Sequence, residues 1–399
     1  MRWVATLPAA LAMCATLFAT PAAAAGAALA AAPVYVGLDL EQRDTSSTSD
    51  ESIEFGARRA VEEINARGGV LRGRPLELVV RDNRTVPARG IANIREFANM
   101  PDLVAFLTGK FSPVALEQAK VLPELQLIML DPWAAANEIV DNGQQPNWAF
   151  RLSLNDTMAV NAMLRRARDK GYARIGAILP NMGWGRSNLK ALESALRQRT
   201  DQRQVGIEWY SLGGEPVLLD RYHALRNAGA QAIYLVANER EGAQLLREMQ
   251  TLPPAERRPI LSHWGVTGGN FPRMAGQALF EQDFAVIQTF GFERAATGRA
   301  RVLAEAAMQK FGVDDPAAIP SPQGIAHAYD LVHLLAMAVE AAGSTDRAAV
   351  RAALERLPAY KGVVKHLTVP YTRQRHEALA ESDLYFARYR ANGRLERAP

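Results

Sequence analysis

Short apolar runs alternate along this chain with longer stretches in which apolar positions return every three or four residues. Val34–Leu40 (VYVGLDL) has the length of a buried strand. A polar loop, Glu41 to Glu51, follows it. Ser52 then opens a helix whose Ile53, Ala57, Ala60, Val61 and Ile64 share one face until Gly68 and Gly69 stop it. The turn at Arg72–Pro75 feeds a second strand, Leu76–Val80, and a helix near Ala88–Asn99. Two further apolar runs, Leu103–Leu107 and Leu127–Leu130, flank a helix from Pro113 to Leu122, and each run ends abruptly in a polar loop. Strand, helix, strand, helix is the rhythm of a doubly wound parallel sheet. In such a sheet the loops after the carboxyl ends of the strands form the ligand crevice. A helix start in that crevice, with Ser112 as its cap and Pro113 in its first turn, offers amides to an anionic group.

The rhythm pauses between Trp133 and Arg151 and then restarts. Asn155 or Asp156 caps a helix carrying Ala159, Val160, Met163, Leu164 and Ala167 on one face, and Gly171 ends it. Arg174–Leu179 is a buried strand, and the glycine-rich loop Asn181–Gly185 leads into a helix near Arg186–Arg199. Val205–Tyr210, Gln231–Val236 and Pro259–Leu261 read as strands, with helices at Leu218–Ala228 and Glu239–Gln250 between them, before His263–Gly265. A second complete α/β lobe is the simplest account. After a strand at Ala285–Gln288 come helical patterns near Gly298–Phe311, Gln323–Ala342 and Asp346–Leu357. Two short strands come next, around Leu367–Val369 and Asp383–Arg390. Helices with few strands predict that the chain crosses back to finish the first lobe.

Composition narrows the class. A length of 399 residues exceeds one ordinary core, which agrees with two lobes. Hydrophobic content of 48% and charge of 22% are those of a soluble globular chain. The net charge is only +4, with no basic block, which excludes a nucleic-acid surface. At the N-terminus, Arg2, the apolar Val4–Phe18 and the small residues of Pro21–Ala25 read as a signal peptide over residues 1–25, followed by a flexible stretch at 26–33. No later run approaches the ~18 apolar residues needed to span a bilayer. Cys14 is the single cysteine and lies in that segment, so the mature chain has neither a disulfide nor a thiolate metal site. Leu11–Cys14 faintly resembles a lipoprotein box. Met13 is large for the position before the cysteine, and the apolar run continues past it, so an unanchored, exported protein is expected.

Glu54–Gly69 (EFGARRAVEEINARGG), continuing through Leu71–Asp82 (LRGRPLELVVRD), resembles the type I periplasmic binding proteins, in particular the branched-chain amino-acid receptors of ABC transporters. Asp169–Leu179 with Trp184-Gly185, Ala228–Leu235 and Ala328–Asp330 extend the resemblance over nearly the whole mature chain. It implies an α/β fold of two Rossmann-like lobes with parallel sheets, joined by a three-crossing hinge. The expected lobes are residues 34–149 plus 288–362 and residues 150–287 plus 363–399. It further implies a periplasmic monomer that closes on a small-molecule ligand and delivers it to a membrane permease. No cofactor and no chemistry on the ligand are expected.

The resemblance places Thr108, Lys110, Phe111, Ser112, Asp131, Trp133, Ala134 and Ala135, with the loop after Leu40, on one wall of the cleft. Trp184, Asn238, His263 and Trp264 would face them. Relatives hold a ligand carboxylate with a Ser-Gly pair and an Ala-Thr stretch where this chain has Ser112-Pro113 and Trp133–Ala136, and Trp184 stands where they often have tyrosine. No acid to receive an ammonium group is evident near His263 and Trp264, although Glu239 is close in sequence to the neighbouring loop.

Lys110 is either a solvated loop lysine or a partner for a carboxylate. The three tryptophans are either core residues or an aromatic lining. Asp131 either touches ligand or caps a turn. The expected ligand is a small carboxylate with a hydrophobic or aromatic body; the alternative is a branched-chain or other hydrophobic amino acid. The acidic loop lacks calcium-site spacing and reads as a solvated rim. His327 and His333 do not share a helix face, and no HExxH, P-loop, complete dinucleotide fingerprint or G-x-S-x-G elbow occurs. A binding protein is the better reading, with a sensory receptor or an enzyme on this fold as the other classes.

Overall fold

The computed structural model describes residues 1–5, 32–42, 47–213, 217–295 and 298–398. Residues 6–25 of the signal segment, Cys14 among them, and loop positions 43–46 lie outside them, and the lobes belong to the compact unit from Ala32 onward. Its first sheet contains β1 (Val34–Leu40), β2 (Leu76–Asp82), β3 (Leu103–Thr108), β4 (Ile128–Asp131) and β5 (Ala149–Arg151), all parallel, in the order β2-β1-β3-β4-β5. The crossovers are α1 (Ser49–Ala66), α2 (Pro87–Ala98) and α3 (Ser112–Leu125). All six positions of β3 are buried, as a parallel strand covered on both faces requires.

The chain then builds the same winding again. The connecting helices are α4 (Asp156–Asp169), α5 (Gly183–Arg197), α6 (Leu219–Asn227), α7 (Glu239–Met249), α8 (Phe271–Ala275) and α9 (Gln277–Glu281). They join β6 (Arg174–Pro180), β7 (Arg203–Tyr210), β8 (Ala232–Leu235), β9 (Ile260–Ser262) and β10 (Phe284–Gln288), in the parallel order β7-β6-β8-β9-β10. Each sheet therefore reverses direction at the first of its strands, and that reversal is where a doubly wound sheet opens a crevice.

Three helices come next: α10 (Gly298–Phe311), α11 (Pro322–Ala342) and α12 (Arg347–Leu354). They return to the first lobe, with Phe311 of α10 edge-on to Phe55 of α1 at 5.9 Å. By length and composition α11 is apolar enough to cross a bilayer, but it is a core helix, packed along α1 and α12. A hairpin of two-residue strands, β11 (Tyr360–Lys361) and β12 (His366–Leu367), precedes β13 (Tyr385–Tyr389) and β14 (Leu395–Arg397), which pair antiparallel on the edge at β10.

The chain thus passes between the lobes three times, after β5, after β10 and before β13. The first and third passages lie side by side: the Arg151 amide donates to the His376 carbonyl (2.8 Å) and the Ala378 amide to the Arg151 carbonyl (2.9 Å). Several expected boundaries shift. α1 begins at Ser49 rather than Ser52, and α5 begins at Gly183, so Trp184 sits in a first helical turn and not in a loop. Asn155 caps α4, its side chain accepting from the Met158 amide. Ser112 is the first residue of α3 and not its cap, because its hydroxyl is taken by the neighbouring loop.

Candidate functional site

The strand register builds the first wall. β1 and β3 pair with Asp39 beside Thr108, so two polar side chains meet at the switch point. Thr108 donates to the Gln118 carbonyl oxygen (2.8 Å), and the Gln118 amide donates to Asp39 (2.5 Å), which Asn83 and Asn93 also reach. Burial pushes the Asp39 carboxyl up to about 6 against the pull of these three donors. The crevice floor is thus filled by a polar network, and Thr108 faces inward.

β4 and β5 pair with Asp131 beside Arg151. One oxygen of Asp131 accepts from the amides of Trp133 (3.0 Å) and Ala134 (2.7 Å), and the other meets the Arg151 guanidinium (3.0 Å). Arg151 also reaches the Ala136 carbonyl (2.7 Å) and Glu377 of the third crossing (3.3 Å). The Ser112 hydroxyl accepts from the Ala135 (3.2 Å) and Ala136 (3.4 Å) amides. Asp131 therefore shapes the Pro132–Ala136 loop from behind.

In the second lobe the Trp184 indole donates to the buried Asp156 carboxylate (3.1 Å), and the Asp156 amide donates to the Ala135 carbonyl of the first wall (2.9 Å). His263 lies edge-on to Trp184 with ring centroids 5.0 Å apart and its Nε2 3.2 Å from Asp156. Trp264, on the next residue, turns the other way. Its ring lies 5.3 Å from that of Trp133 with 34° between the planes, one indole from each lobe.

Between the walls is a cavity of about 20 Å³ lined by Lys110, Phe111, Ser112, Trp133 and Ala135 from one lobe and by Trp184, Asn238, Trp264 and Gly265 from the other. That is room for about one water molecule. A larger surface hollow, about 470 Å³, is lined by Arg59, Glu62, Glu63 and Arg299, charges that pair with one another away from the strand ends.

The lobes also touch beside the cavity, where Gly268 of the second lobe meets the start of α1. Its carbonyl accepts from the Thr48 amide (2.5 Å) and from the hydroxyls of Ser47 (2.8 Å) and Ser49 (3.2 Å). Ser321 at the head of α11 donates to the Thr267 carbonyl (3.0 Å), and the Gln323 amide donates to the Thr267 hydroxyl (2.7 Å). A side chain at 268 would crowd Ser49 and stand 3.0 Å from Glu239, so glycine is required for this approach. On the far side Asn137 donates its amide to Ser187 of α5 (3.0 Å).

Of the residues singled out from sequence, Lys110, Phe111, Ser112, Trp133, Ala135, Trp184, Asn238 and Trp264 meet at the cavity. Thr108, Asp131, Ala134 and His263 do not line it, since each is turned to a partner inside its own lobe or loop. The solvated-rim reading of the acidic loop fails at Ser49 and Asp50: both are buried, and the Asp50 carboxylate accepts the amides of Glu41 (2.7 Å) and Lys110 (2.8 Å). Gly265 and Gly268 were missed; their only signal was a glycine-rich stretch directly after a strand.

Comparison with known proteins agrees with this geometry. The profile of the family described as periplasmic binding protein matches residues 33–394. A Leu/Ile/Val-binding protein homologue of Brucella abortus (strain 2308) is 26% identical over 363 residues, covering 88% of this chain and 91% of the relative. A type 1 periplasmic binding protein from Bordetella pertussis Tohama I superposes with a TM-score of 0.80 at 21% identity, covering 92% of this chain and all of that one. A Rhodopseudomonas palustris solute-binding protein in complex with 4-hydroxybenzoate superposes with a TM-score of 0.75 at 15% identity, covering 92% of this chain and 95% of that one.

Proposed function

The chain belongs to the periplasmic binding protein family, and from that premise we propose that it is the solute receptor of an ABC importer. It takes a small carboxylate-bearing solute with a hydrophobic or aromatic body between its lobes. The observation that carries this reading is the facing pair of strand-end walls, with one cation, Lys110, and three indoles at a single cavity. Sites for small molecules generally offer ~300 Å³ or more, lined by apolar and aromatic groups with a few polar ones. A cavity of about 20 Å³ meets that need only if the lobes part.

The mechanism is hinge closure in the periplasm. Rotation at the three crossings separates Trp133 from Trp264, the solute contacts one wall, and contacts to the second wall stabilise the closed form. That form is the one a membrane permease would recognise. The ligand leaves unchanged, and no residue acts on it chemically. The 4-hydroxybenzoate complex of the Rhodopseudomonas palustris protein supports a ring-bearing carboxylate. A second reading, a branched-chain or other hydrophobic amino acid, draws on the Leu/Ile/Val-binding relative.

Titration calorimetry against ring-bearing carboxylates and against leucine, isoleucine and valine tests the reading, with small-angle scattering on the free and saturated protein. Tight binding of a ring-bearing carboxylate with a fall in radius of gyration is expected. Tight leucine binding without it moves the ligand to the second reading, and identical dimensions in both states refute closure.

A further inference from the structure

The wall that Lys110 and Ser112 build at the cavity donates hydrogen bonds and hardly accepts them. A lysine ammonium has donors only. The Ser112 hydroxyl already accepts the amides of Ala135 and Ala136, so its own hydrogen is what remains to offer. The backbone oxygens around the cavity are engaged as well. The Phe111, Ala135 and Asn238 carbonyls accept from backbone amides. Those of Trp133, Trp184 and Trp264 accept from the side chains of Ser153, Asn188 and Thr267. The carboxylates of Glu41 and Asp156 adjoin lining residues without lining the cavity: Glu41 lies 3.7 Å from the Lys110 ammonium, and Asp156 holds the Trp184 indole at 3.1 Å. The Asn238 side chain, at the head of α7 in the facing lobe, is different. Its carboxamide does not cap the helix and has no hydrogen-bond partner among the described residues. Gly265 leaves it uncovered, since a side chain there would stand 3.1 Å from the Asn238 oxygen.

We propose that Asn238 is a specificity-determining residue of the cleft, the unengaged side-chain acceptor at a donor-lined cavity, and that it selects a carboxylate bearing a hydroxyl over one bearing an ammonium group. This rests on the reading of the cleft as a carboxylate receptor. A hydroxyl has one hydrogen to place. The carboxamide oxygen takes it, and the carboxamide N–H serves the hydroxyl oxygen in return. An ammonium group has three hydrogens and a charge to place, against one neutral acceptor. Closure then buries donors without partners, which costs more than the paired one returns. Asn238 and Lys110 stand on opposite lobes, so the selected hydroxyl lies away from the carboxylate, as at the para position of an aromatic acid. The indoles select the ring, and Asn238 selects what the ring carries.

Benzoate, 4-hydroxybenzoate and 4-(aminomethyl)benzoate share a carboxylate and a ring and differ in the group opposite. Calorimetry compares them on wild type, Asn238→Leu and Asn238→Asp, with leucine as a second ammonium-bearing probe. Wild type is expected to bind 4-hydroxybenzoate roughly tenfold tighter than benzoate, and both amines more weakly than 4-hydroxybenzoate. Asn238→Leu should erase the preference over benzoate. Asn238→Asp supplies an anionic acceptor and should shift the affinity ratio roughly tenfold or more toward 4-(aminomethyl)benzoate. The same preference in wild type and Asn238→Leu, or leucine bound more tightly than 4-hydroxybenzoate by wild type, overturns the proposal and leaves the carboxylate reading standing. So does a wild type that binds other carboxylates but none of the benzoates. A wild type that binds no carboxylate removes the carboxylate reading and the proposal with it. Neither substitution takes away a helix cap, and circular dichroism of each variant checks that the fold is intact.

Discussion

Replacing Arg151 by methionine tests whether the cleft loop of the first lobe is held from the hinge. The guanidinium is fully buried and meets Asp131 at 3.0 Å, Glu377 at 3.3 Å and the Ala136 carbonyl at 2.7 Å. Methionine keeps much of the length but takes the guanidinium from fully buried Asp131 and from partly buried Glu377, a loss in the range of about 3–5 kcal/mol. Part of that loss comes from Asp131 alone. Burial lifts its pKa to about 6 even with the guanidinium in place. Without it the carboxyl stays protonated at an assay pH of about 7.5, and at about 1.4 kcal/mol per pH unit that costs about 2 kcal/mol. A carboxyl whose folded pKa exceeds its unfolded value favours folding at low pH and loses that advantage as pH rises through the folded value. The penalty should therefore shrink by about 2 kcal/mol near pH 5, where Asp131 is protonated with or without the arginine. Denaturant unfolding followed by tryptophan fluorescence at the two pH values reads this directly. A penalty below about 1 kcal/mol at the higher pH, or one equal at both, refutes the reasoning. Adding Asp131→Asn to the variant should return about 2 kcal/mol at the higher pH, because the amide oxygen still accepts from Trp133 and Ala134.

Two other substitutions probe closure and the second crossing. Gly268→Ala puts a methyl group 3.0 Å from Glu239 of its own lobe and, only while the lobes touch, against Ser49 of the other. Overpacking of about 1–3 kcal/mol should weaken ligand binding roughly 5- to 150-fold by calorimetry, and unchanged affinity would discard the Gly268 contact as part of closure. Buried His327 donates from Nδ1 to the Pro132 carbonyl (2.8 Å) and accepts at Nε2 from Thr289 (3.0 Å), and burial lowers its pKa from 6.5 to about 4. The stability it contributes is present above about 6.5 and is lost as pH falls toward 4, about 2 kcal/mol of it by pH 5. The stability gap between wild type and His327→Gln should narrow by that amount, and parallel pH profiles would show that the imidazole does not titrate this way.

The strand–helix rhythm was legible because buried parallel strands read as unbroken apolar runs; β3 is the clearest case. The three tryptophans were found by the same rule, since each comes closely after a strand end. The polar residues were not sortable in this way. Thr108 and Asp131 occupy strand ends just as ligand groups would, yet their partners, Gln118 and Arg151, lie 10 and 20 residues further on. Only the register of β4 against β5 puts Asp131 beside Arg151, and a single sequence carries no register. The loop after β1 misled for a related reason. Its acid Asp50 is held by backbone amides, which leave no mark on side-chain patterning.

Those internal pairings bear on how closure and recognition are joined. The Trp133 ring meets Trp264 across the cleft, while its amide is held by Asp131 and thereby by Arg151 at the first crossing. The preceding carbonyl, on Pro132, is held by His327, whose other nitrogen bonds Thr289 at the second crossing. Glu377 brings the third crossing onto the same guanidinium. One short loop therefore carries contacts from all three crossings and also presents an indole to the cavity between the lobes. A rotation at the crossings displaces these anchors, so the position of Trp133 reports the hinge angle through hydrogen bonds and an ion pair and not through bulk packing alone. Substitutions at Arg151 or His327 should then change ligand affinity without touching ligand, whereas those at Trp184, held by Asp156 within the second lobe, should change selectivity with the hinge intact.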